Sequence, residues 1–440
     1  MRRITYLLSL IAFAQPLMAE NLPPALTDAD FIEVSEAEAT LGQLLFYDPI
    51  LSGNREVACA TCHHPEFGTG DGLSLSLGDG GIGLGPERRL DTQNLPEQRV
   101  PRNAQPLFNL GFISYSALFH DGRVEIDPTR PNGLRTPLDE DMLIGFANAI
   151  SAQTMFPVLS PDEMAGHYSE NEIAQAVRLG RLTGEGGAWD LISRRVAAIP
   201  DYAIRFADVY PEISGPEDIQ FTDISNAIAA FMAFEWRADA APFDAVLRGQ
   251  ASFEADALAG ADLFYGTARC STCHSGPLLS DFGYHAMGQP QLGPGKGARF
   301  ETRPGDEGRF RVTGNPADRY AFRTPSLRNV AATGPWGHAG AYADLSAFVA
   351  AHADPVAALS SYDRAQVVLP EMDAVDWRIM DDPAAVAAIA AAVTVAPVDL
   401  SAEEVAQLVA FLNTLTDPAA IAGRLGVPDK VPSGLAVPNP

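Results

Sequence analysis

The chain has 440 residues, enough for two or three domains with cores of their own, and its 47% hydrophobic and 20% charged content excludes both a disordered chain and a membrane bundle. A formal net charge of −26 weighs against nucleic acid and against an anionic membrane surface, leaving solubility or a basic partner as its use.

In chain order, residues 1–19 read as a secretory leader, with basic Arg2 and Arg3, a short apolar run broken at Gln15-Pro16, and a small residue at Ala19 for cleavage. The run is too short to span a bilayer, and no other stretch approaches the required length. The mature protein is therefore expected to be soluble in the periplasm. The next feature is Cys59-Ala60-Thr61-Cys62-His63, and a second copy follows at Cys270-Ser271-Thr272-Cys273-His274; together they use all four cysteines. In C-x-x-C-H two thiols add across the vinyl groups of a haem, and the adjacent imidazole becomes the proximal iron ligand. Two covalently bound haem c groups are expected, at Cys59, Cys62 and His63 and at Cys270, Cys273 and His274.

The segments around the two sites repeat each other. Gly42-Gln43-Leu44-Leu45-Phe46-Tyr47 precedes the first site and Gly260-Ala261-Asp262-Leu263-Phe264-Tyr265 the second, each closing a helix, and Ser35-x-x-Glu38 is a capping-box start for the first. Downstream lie amphipathic helices over Ile224 to Phe234 and Ser401 to Leu415, the latter with its own Ser401-x-x-Glu404 cap. Residues 68 to 105 and 286 to 316 are rich in Gly, Pro and polar residues and read as long functional loops; the tail after Pro428 reads as irregular. The expectation is a mainly α fold of two cytochrome c-like domains, 20–225 and 226–440, each carrying one haem.

Function turns on the second axial ligands, because a haem with two strong ligands transfers electrons whereas one with an open face can bind peroxide. Besides His63 and His274 the chain has His64, His120, His167, His285, His338 and His352, and Met287, Met372, Met380 and Tyr362 are further candidates for the second haem. Spacing does not choose among them.

Nearly the whole mature chain resembles the bacterial di-haem cytochrome c peroxidases and their MauG-type branch. The likeness is carried by LGQLLFYDPILSG, RNAQPLFNLGF, LFHDGR, AQTMFPVLSPDEM, FRTPSLRNVAATGPWGHAGAY and LSAEEVAQLVAFLNTL. It implies that the His63 haem is the peroxide site and the His274 haem a six-coordinate electron-transfer centre. The distal ligand of the second haem, Met in the peroxidases and Tyr in the MauG type, falls on His352, with Tyr362 as the fallback. AQTMFPVLSPDEM matches the distal wall of the peroxide site. Where the peroxidases carry a catalytic glutamate this chain has Ala152, and the MauG-type set remains: Gln153, Pro157 and Glu163, with Glu163 as the acid/base group. His120 stands where the family has a tryptophan between the haems. A calcium ion would be held by Asn103 and the backbone of Thr333 and Pro335, oxygen donors that suit a hard cation. His338 matches a family histidine to which no role is assigned. The implied activity is reduction of hydrogen peroxide, with a small cytochrome c or cupredoxin as electron donor, or a partner protein as the substrate oxidised. The alternative is a non-catalytic di-haem electron carrier or redox sensor.

Overall fold

The computed structural model describes residues 22–139, 142, 144–296 and 305–439, so the expected leader over 1–19 and part of the second long loop lie outside the described residues. Helices carry the fold, as expected. Among the described residues strands are confined to three small antiparallel sheets, such as Tyr284–His285 against Phe322–Arg323. No helix of the described residues is long and apolar enough to cross a membrane.

The expected caps start the helices they were read for. Ser35 Oγ accepts from Glu38 N at 3.2 Å and opens the helix Glu36–Tyr47, satisfying an N–H that the first turn leaves without an intrahelical partner. Ser401 and Glu404 form the reciprocal pair, at 3.2 and 2.8 Å, ahead of Ala402–Asn413. The remaining members of the repeat are Ala255–Tyr265 and Phe221–Glu235.

Opening and closing helices cross at a glycine in both repeats. A methyl group on Gly42 would collide with the Ala227 carbonyl, and one on Gly260 with the Gln407 carbonyl. Only a residue lacking Cβ permits that approach. The aromatic residue four positions on then packs into the closing helix: Phe46 lies 5.2 Å from Phe231, and Phe264 lies 5.0 Å from Phe411. Gly42→Ala and Gly260→Ala should each cost about 1–3 kcal/mol, the usual range for overpacking. A lowered urea midpoint at unchanged m-value would report it.

Two separate apolar cores result, one around Phe46, Phe231 and Trp236 and one around Phe243, Phe264 and Phe411. The expected division at 225/226 needs correction, because it cuts the continuous helix Phe221–Glu235, which packs on Glu36–Tyr47 in the first core. That core extends to Ala238 and takes in Ala420 and Val431 from the far end of the chain. The tail after Pro428 is irregular, as expected, yet anchored. Glu235 accepts from the backbone N–H groups of Arg424, Leu425 and Gly426 at 3.0, 2.7 and 2.8 Å, and Ser433 Oγ donates to Asp48 Oδ1 at 2.6 Å.

Candidate active site

Two cavities lie beside the two pentapeptides. The first is lined by Cys59, Cys62 and His63, and the structure brings Gln153, Pro157 and Glu163 to the same cavity from about a hundred residues downstream. Burial holds the His63 imidazole below its ordinary pKa, so the ring is neutral. Its Nδ1 donates to Thr69 O at 3.0 Å, which leaves the Nε2 lone pair for a metal.

Gln153 stands on the helix Ala149–Thr154, which Asn148 caps by accepting from Ser151 N at 3.1 Å. Ala152, on the same helix, is fully buried in the core and does not line the cavity. Glu163 sits in the π-type turn Pro161–Ala165. Backbone clamps that turn: Asp79 N donates to Glu163 O at 2.9 Å and Gly53 N to Met164 O at 2.7 Å. Burial pushes the Glu163 carboxyl above the ordinary carboxylate value, and the Lys296 ammonium, then the Arg123 guanidinium, pull it back. A carboxyl that keeps its proton to higher pH than usual can exchange it with a ligand in the cavity.

The second cavity is lined by Cys270, Cys273 and His274 together with His352. Burial lowers the His274 pKa to about 4, and its Nδ1 donates to Leu279 O at 3.0 Å. His352, in the helix Leu345–Ala353, is likewise held neutral by burial and donates Nδ1–H to Phe348 O at 2.9 Å. Each ring thus keeps Nε2 free, and the two are near enough that the charge on one would lower the pKa of the other. Met287 lines this cavity too. Tyr362, the fallback ligand, lies outside it: the ring packs on Tyr342 and Trp377, and its hydroxyl donates to Ala341 O. Met372 and Met380 also lie outside the lining. Cys273, Asp281 and His285 form a tight group of candidate ligand atoms, with His285 Nε2 2.9 Å from Asp281 Oδ2, but a Cys273 spent on a thioether leaves only a hydrogen-bonded His–Asp pair there.

The cavities share a wall that includes Asn103, Gln105, His120, Arg323 and Pro325. His120 Nε2 donates to Asn103 O at 3.2 Å, and burial, with Arg102 nearby, pushes the ring well below its ordinary pKa. Arg102, which lines the first cavity, bridges Asp121 at 2.8 Å and Asp306 at 2.6 Å, all three buried. Asn103, Thr333 and Pro335 all line the second cavity; Asn103 Nδ2 donates to Leu73 O at 2.8 Å, which turns the amide oxygen away from that carbonyl. His338 is buried, stacked on Phe322 at 3.8 Å, and neither ring nitrogen has a hydrogen-bond partner among the described residues, while its backbone carbonyl accepts from Asn103 N at 3.0 Å. Sequence reasoning missed Lys296 and Arg323. Arg323 lay unremarked within a quoted motif, whereas Lys296 is one of only two lysines in the chain, a bias that could have drawn notice.

A family model for the di-haem cytochrome c peroxidases matches residues 36–252. The chain is 28% identical over 389 residues to the methylamine utilization protein MauG of Methylorubrum extorquens, covering 87% of this chain and 80% of that protein. It is 30% identical to a cytochrome c551 peroxidase of Nitrosomonas europaea, covering 70% of each. Among solved structures, a MauG-like protein associated with microbial copper homeostasis aligns with a TM-score of 0.56 at 27% identity, covering 93% of this chain and 97% of that one.

Proposed function

Because the chain belongs to the di-haem cytochrome c peroxidase family, an oxidoreductase family, we propose that it is an exported, periplasmic enzyme that reduces hydrogen peroxide in the His63 cavity and moves electrons through the His274 cavity. The observation that carries this reading is the asymmetry of two otherwise equivalent sites: a half-buried carboxyl, Glu163, beside one and a second imidazole, His352, beside the other. The residues fit the groups, since each cavity offers two thiols and an imidazole with Nε2 free.

Haem bound at these positions supplies a peroxide-binding iron in the first cavity and an electron store in the second. The chain's own residues supply the rest. Glu163 accepts a proton from the incoming peroxide and returns it to the departing oxygen, while Gln153 and Pro157 shape the space beside it. Reduction of one peroxide to two waters consumes two protons and two electrons; the electrons cross the wall of His120 and Arg323 from the second site. His274 and His352 would hold the second haem, and two imidazoles would give it a lower potential than an imidazole and a thioether. Calcium held by Asn103 and the carbonyls of Thr333 and Pro335 belongs to the same reading. Ala152 at the position of the peroxidase glutamate favours oxidation of a partner protein, as in the MauG type, over rapid turnover with a small cytochrome or cupredoxin.

Electron paramagnetic resonance of the ferric protein tests the assignment. One high-spin and one low-spin haem are expected; two low-spin haems indifferent to peroxide would leave an electron carrier or sensor instead. His352→Ala should convert the low-spin signal to high-spin, and an unchanged signal would hand the ligand role to Met287. Slow turnover with peroxide and a reduced cytochrome is expected, and fast turnover would favour the peroxidase branch.

A further inference from the structure

The two lysines of this chain are Lys296 and Lys430, against 28 arginines. Lys296 is carried to the first cavity by the turn Leu292-Gly293-Pro294-Gly295, whose glycines have φ of +76° and +71°, a region L side chains adopt only with strain. A side chain on Gly293 would meet Leu75. The turn is tied down where Gly293 N donates to Asp376 O at 2.8 Å. Both Lys296 and Glu163 line the cavity and retain partial accessibility there. Lys296 is the charge that acts most strongly on Glu163. The neighbouring guanidiniums have carboxylates of their own: Arg123 pairs with Asp121 at 3.2 Å, and Arg102 with Asp121 and Asp306.

We propose that Lys296 is a catalytic residue of the peroxide site, its ammonium holding the small oxygen anion that forms when Glu163 takes a proton from hydrogen peroxide. The inference rests on the proposed function. In this step one O–H bond of hydrogen peroxide breaks, the proton passes to the Glu163 carboxylate, and the electron pair stays on oxygen. The cavity begins with a carboxylate and an ammonium and ends with a neutral carboxyl, an ammonium and HOO⁻, so its net charge is unchanged. What changes is the place of the negative charge, which moves from Glu163 to the ligand inside the cavity that Lys296 also lines. A compact ammonium suits this better than a planar fork, because its three donors can follow a charge that shifts between two atoms. Burial, with the positive charges of Arg123 and Arg102, lowers the Lys296 pKa to about 8, which leaves it protonated at and below neutrality.

Fluoride binding to the ferric holoprotein, followed by its absorption spectrum, tests this without turnover. At about pH 6, where the ammonium is intact, Lys296→Met should weaken fluoride binding by about tenfold or more, the loss expected for a charge-assisted hydrogen bond. Lys296→Arg should recover most of the affinity, and Lys430→Met should leave it unchanged. Equal fluoride affinity in wild type and Lys296→Met overturns the proposal, as it would if Lys296 only held a haem propionate. Fluoride that fails to bind the wild-type protein removes the open-faced haem itself, and with it both the proposal and the function on which it rests.

Discussion

Glu163→Gln should slow the reaction with hydrogen peroxide by about 10³-fold, near the middle of the 10²–10⁴ range for a positioned acid/base group. Gln keeps the size of the side chain and leaves untouched the backbone clamp from Asp79 N and Gly53 N, so haem content and both spin states should match wild type. What is lost is a group that can take and return a proton. Stopped-flow mixing with peroxide measures the effect, and a loss smaller than about threefold would remove Glu163 from the chemistry. The pH profile supplies a second check. The carboxyl is raised above its ordinary value by burial, and only its ionised form accepts a proton. The wild-type rate should therefore climb with pH through an inflection above the usual carboxylate range, and Glu163→Gln should lack that inflection.

Arg328→Met should cost about 3–5 kcal/mol of stability, the range for breaking a buried ion pair by removing one partner. Arg328 donates to both Asp244 oxygens at 2.7 Å, and both side chains have 0% exposure. It also donates to Pro277 O at 2.9 and 2.7 Å, in the loop that follows His274, and lies over the Phe243 ring at 5.3 Å. Asp244 in turn accepts from Ala241 N at 3.0 Å at the start of Pro242–Leu247. Without the guanidinium a carboxylate stays in the core with one backbone partner, and the loop beside the second cavity loses its tether. Urea unfolding of Arg328→Met and of the double variant Arg328→Met, Asp244→Leu separates the causes. The double variant should regain part of the loss, because no unpaired charge remains. A single-variant loss below about 1 kcal/mol would mean that the charges are solvated after all.

Features written in local sequence were legible in advance. The pentapeptides, the Ser35 and Ser401 caps and the GQLLFY and GADLFY repeat each need only a few adjacent residues to act. The domain boundary was not, because the helix Phe221–Glu235 belongs to the first core through contacts with residues almost two hundred positions earlier. The candidates for the second haem were thinned only by tertiary structure, which packs Tyr362 against Tyr342 and Trp377 outside the cavity and leaves His352, Met287, His285, His338 and His120 along its lining. Lys296 escaped notice because a G-P-G-K turn has no periodicity, and its importance comes from what the fold places opposite it.

The pairing of Glu36–Tyr47 with Phe221–Glu235 also imposes an order of assembly. Residues 48–220, with Cys59 and Cys62 among them, form one long loop that must close before the first core exists. Closing so long a loop adds little entropic cost beyond that of a shorter one, but such distant pairings form late. Until then Phe46 on one helix and Ile228 and Met232 on the other, which line the first cavity beside Cys59 and Cys62, are not yet brought together. Cys270 and Cys273 likewise lie between two helices that pair over a long separation, Ala255–Tyr265 and Ala402–Asn413.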